Sequence, residues 1–595
     1  MMATSSTVLA RFRRHENGHV VFLSMLFVLI SLGFTVGYLR FVMGERMYFQ
    51  IRQARAMARL NAYTGLAEKG VPYIKSNMFS HDSVLEGRDV PYMNGFYDSV
   101  DCKIKVNPFS RQDEFFASAR GTSKYKNFAF EDEPVHYTAD VVYHKDTFAD
   151  YMYFTNEERP GGGPWLGTSV TFGSGERLEG KVFSNDDMRT SQYGCPEFVE
   201  GPDGQESEVK TAGIFILQGS CTESIFTGTF EDSVDKIDWP PFTGHDRVRQ
   251  CADWIFYSDE MININSTDPD FRDTLIMTEI EFSAGQFNVK RWPYIIPPRT
   301  YSPFSPQSID TMRMYYPKFY RDVLHGNVSY TGEIDFQHFD FDPSGPIPEN
   351  PPTEFRANGY EWGLIEDRTI ISSDGVVWIE GGPVRVKGTV GGRYTIATSD
   401  STPYRMAFNN QTINWTQNNI WIVGDIRYED SYFNGAVRNG SSNRLGLLSS
   451  ANVIVANTGA NGARNSASGT DIVINAAMIA MHESFIVHYW QNTTTDFHFL
   501  EGISPKGDGM GSTYHGTPLG SQDFRGTIHI YGSVIQSARG YVKRNNPGPY
   551  TQTIGYEKNY NFDYNFRDYP PPCWPETRGA DGSVNLNFYS LGEAN

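Results

Sequence analysis

The hydrophobic pattern separates one uninterrupted apolar segment near the amino terminus from a long region of short, strand-like runs. Between Val20 and Leu39 the residues are uncharged and mostly apolar, and the next residue is Arg40. Because a helix rises about 1.5 Å per residue, about 20 such residues cross the hydrocarbon core of a bilayer. The segment predicts a membrane-spanning helix with apolar positions at Val20, Phe22, Leu26, Leu29, Leu32, Val36 and Leu39.

The helical pattern continues past the apolar segment. Residues 45–68 contain no proline, and apolar residues recur near the helical spacing at Met47, Ile51, Ala54, Ala58 and Leu60. We therefore expect one helix over residues 19–70, whose first half lies in a membrane and whose arginine-rich second half stands in water.

The carboxy-terminal half alternates short β-type runs with turn residues. Runs rich in Val and Ile occupy residues 376–382, 384–390, 394–398, 420–423, 453–455, 471–475 and 527–532. Short runs at irregular spacing are typical of a right-handed parallel β-helix, whose rungs bury Val and Ile. A β-sandwich is the alternative. Either way, the pattern predicts a mainly β chain.

Changes in composition divide the chain into segments. We expect a basic leader at 1–18, the helix at 19–70, a mixed α/β stem at 71–160, a β-rich domain at 161–350 and a β-helix-like domain at 351–595. A glycine run at 161–164 and a proline-rich stretch at 341–352 mark the later boundaries.

The net charge limits the partners that we expect, and the cysteine content limits the metal sites and disulfides that we expect. The net charge of −19 argues against nucleic acid as a partner for the bulk of the chain. The five cysteines show no C-x-x-C spacing, so we expect no structural zinc site. In an oxidising compartment one or two disulfides can form, and Cys195 and Cys221 are the nearest pair along the chain. The sequence leaves the connectivity open.

Candidate catalytic groups are sparse. Asp186–Asp187 and Asp268–Pro269–Asp270 are the closest carboxylate pairs, and such pairs on turns are usually solvated. The histidines are dispersed, at His482, His488, His498, His515 and His529. We therefore expect no catalytic residue, no metal site and no cofactor. Aromatic residues that could stack on sugars or fill the core are Trp415, Trp421, Trp490, Tyr514 and Trp574.

The amino terminus allows three interpretations. A cleavable secretory signal is disfavoured because no small-x-small cleavage site follows the apolar run. A plain single-span anchor leaves the basic leader ending at Gly18 unexplained. Arginines flank the span on both sides, so charge does not fix its orientation. The large acidic remainder lacks a second span, and we expect it to lie outside the cytoplasm.

The leader, the apolar helix and the alanine-rich stretch 58–68 resemble type IV pilins, the pseudopilins of type II secretion and, above all, large PilX-type pilin-like proteins. The resemblance implies cleavage between Gly18 and His19. The mature chain would begin at His19, where pilins usually carry phenylalanine, and Leu23 would take the fifth position, where they carry glutamate. It further implies single-pass insertion in a bacterial inner membrane, with other pilin-like subunits or pilus or secretion assembly components as partners.

A second resemblance covers the β region. Residues 180–186, 379–388, 445–448, 452–455, 474–480, 531–536, 539–540 and 556–560 are similar to an uncharacterised bacterial envelope domain that follows a PilX-like helix. The function we expect is a non-enzymatic, membrane-anchored envelope protein that presents a large β domain for assembly or surface contact. The alternatives are an anchored β-helix carbohydrate-active enzyme and an adhesin that binds a surface glycan.

Overall fold

The computed structural model describes residues 6–76, 81–90, 95–158, 170–204, 207–239, 243–267, 273–294, 333–334, 364–405, 413–456, 460–461, 471–487, 524–540, 542–545 and 553–593. The boundaries expected near residues 160 and 350 lie outside these ranges, as does the proline-rich stretch. The chain divides into two compact units. The helix–sheet unit comprises Met1–Lys105, Asp113–His144 and Leu586–Asn595, and the parallel-strand unit comprises Val106–Gln112 and Lys145–Asn585.

A long continuous helix begins the helix–sheet unit, as the sequence predicts. Helix α1 spans Ser6–Gly65, one π-helical turn spans Leu66–Gly70, and α2 spans Val71–Lys75. Pro72 lies in the first turn of α2, where a missing backbone donor is tolerated. The helix ends where Ser76 adopts extended backbone.

A five-stranded sheet completes this unit. Its strands are β1 Ser83–Val90, β2 Gly95–Val106, β3 Asp113–Lys126, β4 Asp132–Lys145 and the chain's last strand, Leu586–Glu593, in that order across the sheet. The pairs β1–β2 and β3–β4 are antiparallel. Buried and partly exposed positions alternate along much of β3, so one face of the strand is available to the helix.

The parallel-strand unit contains many short strands, and the chain as a whole is mainly β as expected. Its elements begin with β5 Tyr153–Glu157, β6 Glu176–Glu179, β7 Lys181–Ser184, β8 Met188–Arg189, β9 Glu197–Val199, β10 Glu208–Thr211, β11 Phe215–Ile216, β12 Thr229–Glu231, β13 Ile237–Asp238, α3 Thr243–Gln250, β14 Trp254–Tyr257, β15 Leu275–Ser283 and β16 Gln286–Tyr294. They continue with β17 Glu333–Ile334, β18 Glu366–Ile371, β19 Asp374–Glu380, β20 Val384–Val390, β21 Arg393–Thr398, β22 Ser401–Arg405, β23 Ile413–Gln417, β24 Ile420–Tyr428 and β25 Arg444–Ser449. The last are β26 Val453–Val455, β27 Ile472–Ile474, β28 Ala477–Ala480, β29 Phe485–Val487, β30 Phe524–Ala538, β31 Lys543–Asn545, β32 Thr553–Phe562 and β33 Arg578–Gly579.

Most of these strands belong to one large curled sheet built from two parallel ladders. The first ladder runs β14, β19, β21, β25, β28, β30, β5, β7, β10, β12. The second runs β15, β20, β24, then through β26 to β29 and through β27 to β30, β32, β6 and β9. From β19 to β28, strands that follow each other in the chain alternate between the ladders, apart from the side pair β22–β23 and the two short strands β26 and β27.

The core consists of rows of side chains stacked through the ladders. In the first ladder one row contains Val377, Ile396, Leu447 and Met478, each paired with the next and each buried. In the second ladder Val386 is fully buried, whereas its neighbour Lys387 is partly exposed and pairs with Glu279 at 3.3 Å. Parallel register brings equivalent positions above one another, so the apolar rows form without a strict sequence repeat.

Strand β30 changes ladder halfway along its length. Its residues up to Gly532 pair with β32, and its residues from Val534 onward pair with β5. A side chain at Gly532 would overlap the carbonyl of Ala476, so the bend requires glycine. Because β5 and β6 pair with β30 and β32, the first strands of the unit stack on its last ones.

Candidate functional site

The first half of α1 carries the predicted membrane-spanning residues on all sides of an uncovered helix. The most apolar stretch of 18 residues in this helix has a mean hydropathy of 2.4, and none of it is buried inside the protein. Every predicted span position is exposed: Val20, Phe22, Leu26, Leu29, Leu32, Val36 and Leu39. A helix that is apolar all around normally lies in lipid or among other helices. Among the described residues, therefore, one helix is long and apolar enough to cross a membrane.

Two hydroxyl side chains inside this apolar segment donate to the helix's own backbone carbonyls. Ser24 donates from its hydroxyl to the Val21 carbonyl at 2.8 Å, and Thr35 donates to the Ser31 carbonyl at 2.7 Å. Such bonds remove the cost of burying a hydroxyl in hydrocarbon. Beyond the segment, the Arg52 guanidinium lies 4.4 Å from the centre of the Tyr48 ring.

The second half of α1 is covered on one face by strand β3. Ala54, Ala58, Ala62 and Leu66 recur every four residues and are buried. Asn61 donates from Nδ2 to the Thr122 carbonyl at 2.8 Å, which ties the helix to the strand. Leu60, which the helical spacing placed with the apolar positions, is 43% exposed. The covered face is therefore a stripe of small residues.

Close approach of helix and strand depends on small residues on both sides. A side chain at Gly121 of β3 would overlap the Ala58 carbonyl and the Ala62 backbone nitrogen. Ala117 and Ala119 of β3 are fully buried. The alanine-rich tract is visible in the sequence, and the structure shows that it packs against strand β3.

The processing and disulfide candidates lie in different units. Gly18 and His19 both lie within α1, and cleavage between them stays a prediction.

Cys195 and Cys221 are joined by a disulfide in the parallel-strand unit. A second disulfide joins Cys251 and Cys573, which are 322 residues apart. No local pattern in the sequence indicates that second pairing, because it depends on the stacking of distant strands.

A buried charge cluster lies where the early strands stack on the late ones. It consists of Glu158, Glu176, Arg539 and Lys558, all almost fully buried. Arg539 lies 3.0 Å from Glu158 and 3.4 Å from Glu176, and Lys558 lies 2.8 Å from the second oxygen of Glu176. The two cations therefore pair with two anions that lie more than 360 positions earlier in the sequence.

The surroundings shift the pKa values of the two glutamates of the charge cluster in opposite directions. Burial raises the pKa of Glu158 although Arg539 and Thr155 oppose the shift. Burial also works against ionisation of Glu176, yet Lys558 and Arg539 together hold its pKa below the ordinary value. The Phe172 ring lies 3.7 Å from the Arg539 guanidinium carbon and covers it. Paired and enclosed in this way, the cluster connects segments and is closed to a substrate.

The other candidates from the sequence are dispersed. Asp186 accepts from the Glu158 backbone nitrogen at 3.1 Å, and Asp187 accepts from the Ile214 nitrogen at 3.0 Å, so both carboxylates brace turns. His529 lies beside Asn559, 2.9 Å away. The structure's described residues include no group of three or more His, Cys, Asp or Glu placed to hold a metal.

Of the aromatic residues that could stack on sugars, some are buried in the core and others lie outside the described residues. Trp421 and Trp574 are fully buried and belong to the core of the parallel-strand unit. Trp490 and Tyr514 lie outside the described residues, as do Asp268, Asp270, His488, His498 and His515. Only the backbone of Trp415 is described, in strand β23. Trp421 and Trp574 are therefore not sugar platforms.

Comparison of the chain with models of protein families, with curated proteins and with solved structures finds no match.

Proposed function

We propose that the protein is a non-enzymatic, pilin-like subunit of the bacterial envelope, anchored by α1 in the inner membrane with its β domain outside the cytoplasm. The observation that carries the proposal is the division of α1 into two halves. Between Val20 and Phe49 the large apolar side chains other than Met47 are exposed on all sides, and from Ala54 one face is covered by an antiparallel sheet. The covered half fixes the helix to the sheet, and the uncovered half is left for lipid or for other helices.

The exposed half can exchange between those two surroundings. Each large apolar side chain that leaves water gains about 1.5–3 kcal/mol, so roughly 20 of them strongly favour the membrane. Leaving the bilayer requires an equally apolar replacement surface. Apolar segments of other pilin-like subunits would supply such a surface in a helical bundle, and these subunits are the partners that we propose beside the membrane.

The parallel-strand unit fits the expected right-handed parallel β-helix better than a sandwich. Its ladders are parallel and take alternate strands of the chain, whereas sandwiches pack antiparallel sheets. A row of buried turn residues supports repeated coils: Asn452 donates from its backbone nitrogen to the Asn419 side chain at 2.9 Å, and Ser484 donates likewise to the Asn452 side chain at 3.1 Å. We propose that this β-helix forms the presented domain.

The two disulfides support a location outside the cytoplasm. Cys195–Cys221 and Cys251–Cys573 both lie in the parallel-strand unit. Disulfides form and persist in oxidising compartments such as the periplasm and the cell surface. We therefore place this unit in the periplasm or on the cell surface, with a single span through the inner membrane.

The anchoring proposal is tested by alkaline carbonate extraction of bacterial membranes. We expect the native protein to stay in the membrane pellet. A double variant, Leu26→Arg with Leu29→Arg, puts two charges in the span at about 2.5–3.5 kcal/mol each and should move protein to the supernatant. Leu60→Arg is the matched control, because Leu60 is exposed outside the apolar segment. Complete extraction of the native protein would contradict the proposal.

Processing is tested by intact mass measurement of the protein from cells with an active prepilin peptidase. We expect the mature chain to begin at His19. A chain that keeps residues 1–18 would instead support the plain single-span anchor.

A further inference from the structure

A cavity of about 510 Å³ lies on the parallel-strand unit where β7, β10 and β12 stack on one another. Its volume falls in the range of small-molecule sites, about 300–1,000 Å³. Val209 of β10 is fully buried, so Glu208 and Lys210 on either side of it face away from the core. This alternation brings Glu208 and Lys210 to the cavity, and Lys181, the register partner of Glu208 on β7, lines it beside them.

The charged lining is a row of linked ion pairs rather than a patch of one sign. Lys210 lies 2.6 Å from Glu208 and 3.8 Å from Glu231, and Lys181 lies 3.9 Å from Glu208. Their side chains are 29–62% exposed, so a ligand can reach them. With Asp235, the lining holds two cations and three anions. Donors and acceptors therefore alternate along the cavity.

Tyr151 is the aromatic side chain of the described lining that a ligand can reach, because it is partly exposed whereas Phe183 is buried beside it. The Tyr151 and Phe183 rings meet edge to face at 5.9 Å, and Phe154 stacks on Phe183 at 5.6 Å. Burial raises the pKa of the Tyr151 phenol, as do the carboxylates of Asp146 and Asp150, so the phenol stays neutral at physiological pH. The cavity thus combines an apolar ring surface with a row of groups that donate and accept hydrogen bonds.

The lining excludes several ligand classes. Two cations against three anions make a poor site for phosphate or nucleic acid. The lysines pair with Glu208 and Glu231, and the described residues contain no metal-binding group of three or more ligands. Apart from its rings, the described part of the lining contributes only Val182 and Val234 as apolar residues, which is too little for an apolar ligand. A neutral polyhydroxylated ligand satisfies all of these constraints, because each hydroxyl both donates and accepts.

We propose that this cavity binds a short segment of a neutral glycan, with a sugar ring against the partly exposed Tyr151 and its hydroxyls on the Lys181–Glu208–Lys210–Glu231 row. Binding is non-covalent and involves no bond cleavage. The inference gives the presented β domain a ligand class, and it stands or falls independently of membrane anchoring.

The test is calorimetric titration of the full-length protein in detergent micelles with cellotetraose, N-acetylated chitotetraose, maltotetraose and trigalacturonate. We expect at least one neutral oligosaccharide to bind and the anionic trigalacturonate to bind at least about tenfold more weakly than it, because the lining has a net negative charge. Tighter binding of trigalacturonate, or binding of none of the neutral probes to folded protein, would overturn the proposal.

Matched variants locate the binding. Lys210→Ala should lower the association constant of the bound oligosaccharide about tenfold or more, since it removes the central member of the row. Lys290→Ala is the control, because Lys290 forms a comparable partly exposed pair with Glu281 in β15. Glu231→Gln, at a 62% exposed side chain, tests the row without threatening the fold and should weaken binding in the same direction. Binding that survives both cavity variants unchanged would contradict the assignment.

Discussion

The helix–sheet unit and the parallel-strand unit hold their segments together with different kinds of residue. In the first, Ala58 and Ala62 of α1 lie against Gly121 of β3, and the contact needs the absence of side-chain atoms. In the second, Arg539 and Lys558 lie against glutamates more than 360 positions earlier, and the contact needs specific charges. Added volume should therefore damage the first unit, and loss of a charge should damage the second.

The chain carries a separate probe for each unit. All ten tryptophans lie between residues 165 and 574, within the parallel-strand unit. Cys102 is the free cysteine, and it is buried in the helix–sheet unit. Tryptophan fluorescence therefore reports unfolding of the parallel-strand unit, and the reaction of Cys102 with a thiol reagent reports opening of the helix–sheet unit.

The largest effect is expected from Arg539→Met. The substitution leaves Glu158 buried without its cation, and breaking a buried ion pair costs about 3–5 kcal/mol. Denaturant unfolding followed by tryptophan fluorescence should show this loss, while the reaction rate of Cys102 in native protein stays unchanged. Arg427→Met is the control: its pair with Asp425 at 2.9 Å has side chains 33% and 39% exposed, and its loss should cost under about 1 kcal/mol. Equal losses for the two variants would show that the buried cluster has no special role.

Gly121→Val is expected to have the next largest effect, in the other unit. The new side chain forces the strand away from the helix, and overpacking of this kind costs about 1–3 kcal/mol or more. Cys102 should react faster, and the tryptophan-detected transition should not move. Gly37→Ala is the control, because a methyl group at Gly37 meets nothing within 4 Å. Unchanged Cys102 reactivity in Gly121→Val would refute the close-packing account.

A smaller, pH-dependent effect is expected from His245 of α3. Burial, together with His482, lowers the pKa of His245 to about 4 although Glu380 and the Thr398 backbone oppose the shift. Between about pH 6.5 and 4 the unfolded chain binds a proton that the folded unit does not, so stability falls as pH falls, by at most about 1.4 kcal/mol per pH unit. His245→Gln should flatten this slope in tryptophan-detected unfolding. A variant with the native slope would sink the prediction.

Asp146 should produce a slope of the opposite sign. Burial and then Asp150 raise its pKa to about 7, whereas Lys181 opposes the shift. Between about pH 4 and 7 the folded unit keeps a proton that the unfolded chain releases, so the free energy of unfolding falls as pH rises. Asp146→Asn should remove this fall and raise stability at pH 8 relative to the native protein. A loss of stability at pH 8 would count against a raised pKa.

Local patterns in the sequence predict much of the fold and little of its long-range assembly. The apolar run from Val20 and the β-branched runs around Val386 predict the helix and the buried strand positions, because each depends on residues a few positions apart. The pairing of β5 with β30 and the Cys251–Cys573 disulfide depend on contacts between segments hundreds of residues apart. Glu158 and Arg539 look like ordinary surface residues in the sequence, and the glycan cavity exists only once β7, β10 and β12 are stacked.

The central claim is that α1 anchors the protein with the parallel-strand unit outside the cytoplasm. Phe433 is fully exposed in that unit, so a cysteine introduced by Phe433→Cys is open to reagents. The most direct measurement is labelling of this variant with a membrane-impermeant maleimide in washed spheroplasts, before and after detergent lysis. The account predicts equal labelling in both conditions and no labelling of the native protein, whose Cys102 is buried. Labelling that appears only after lysis would place the unit in the cytoplasm and contradict the account.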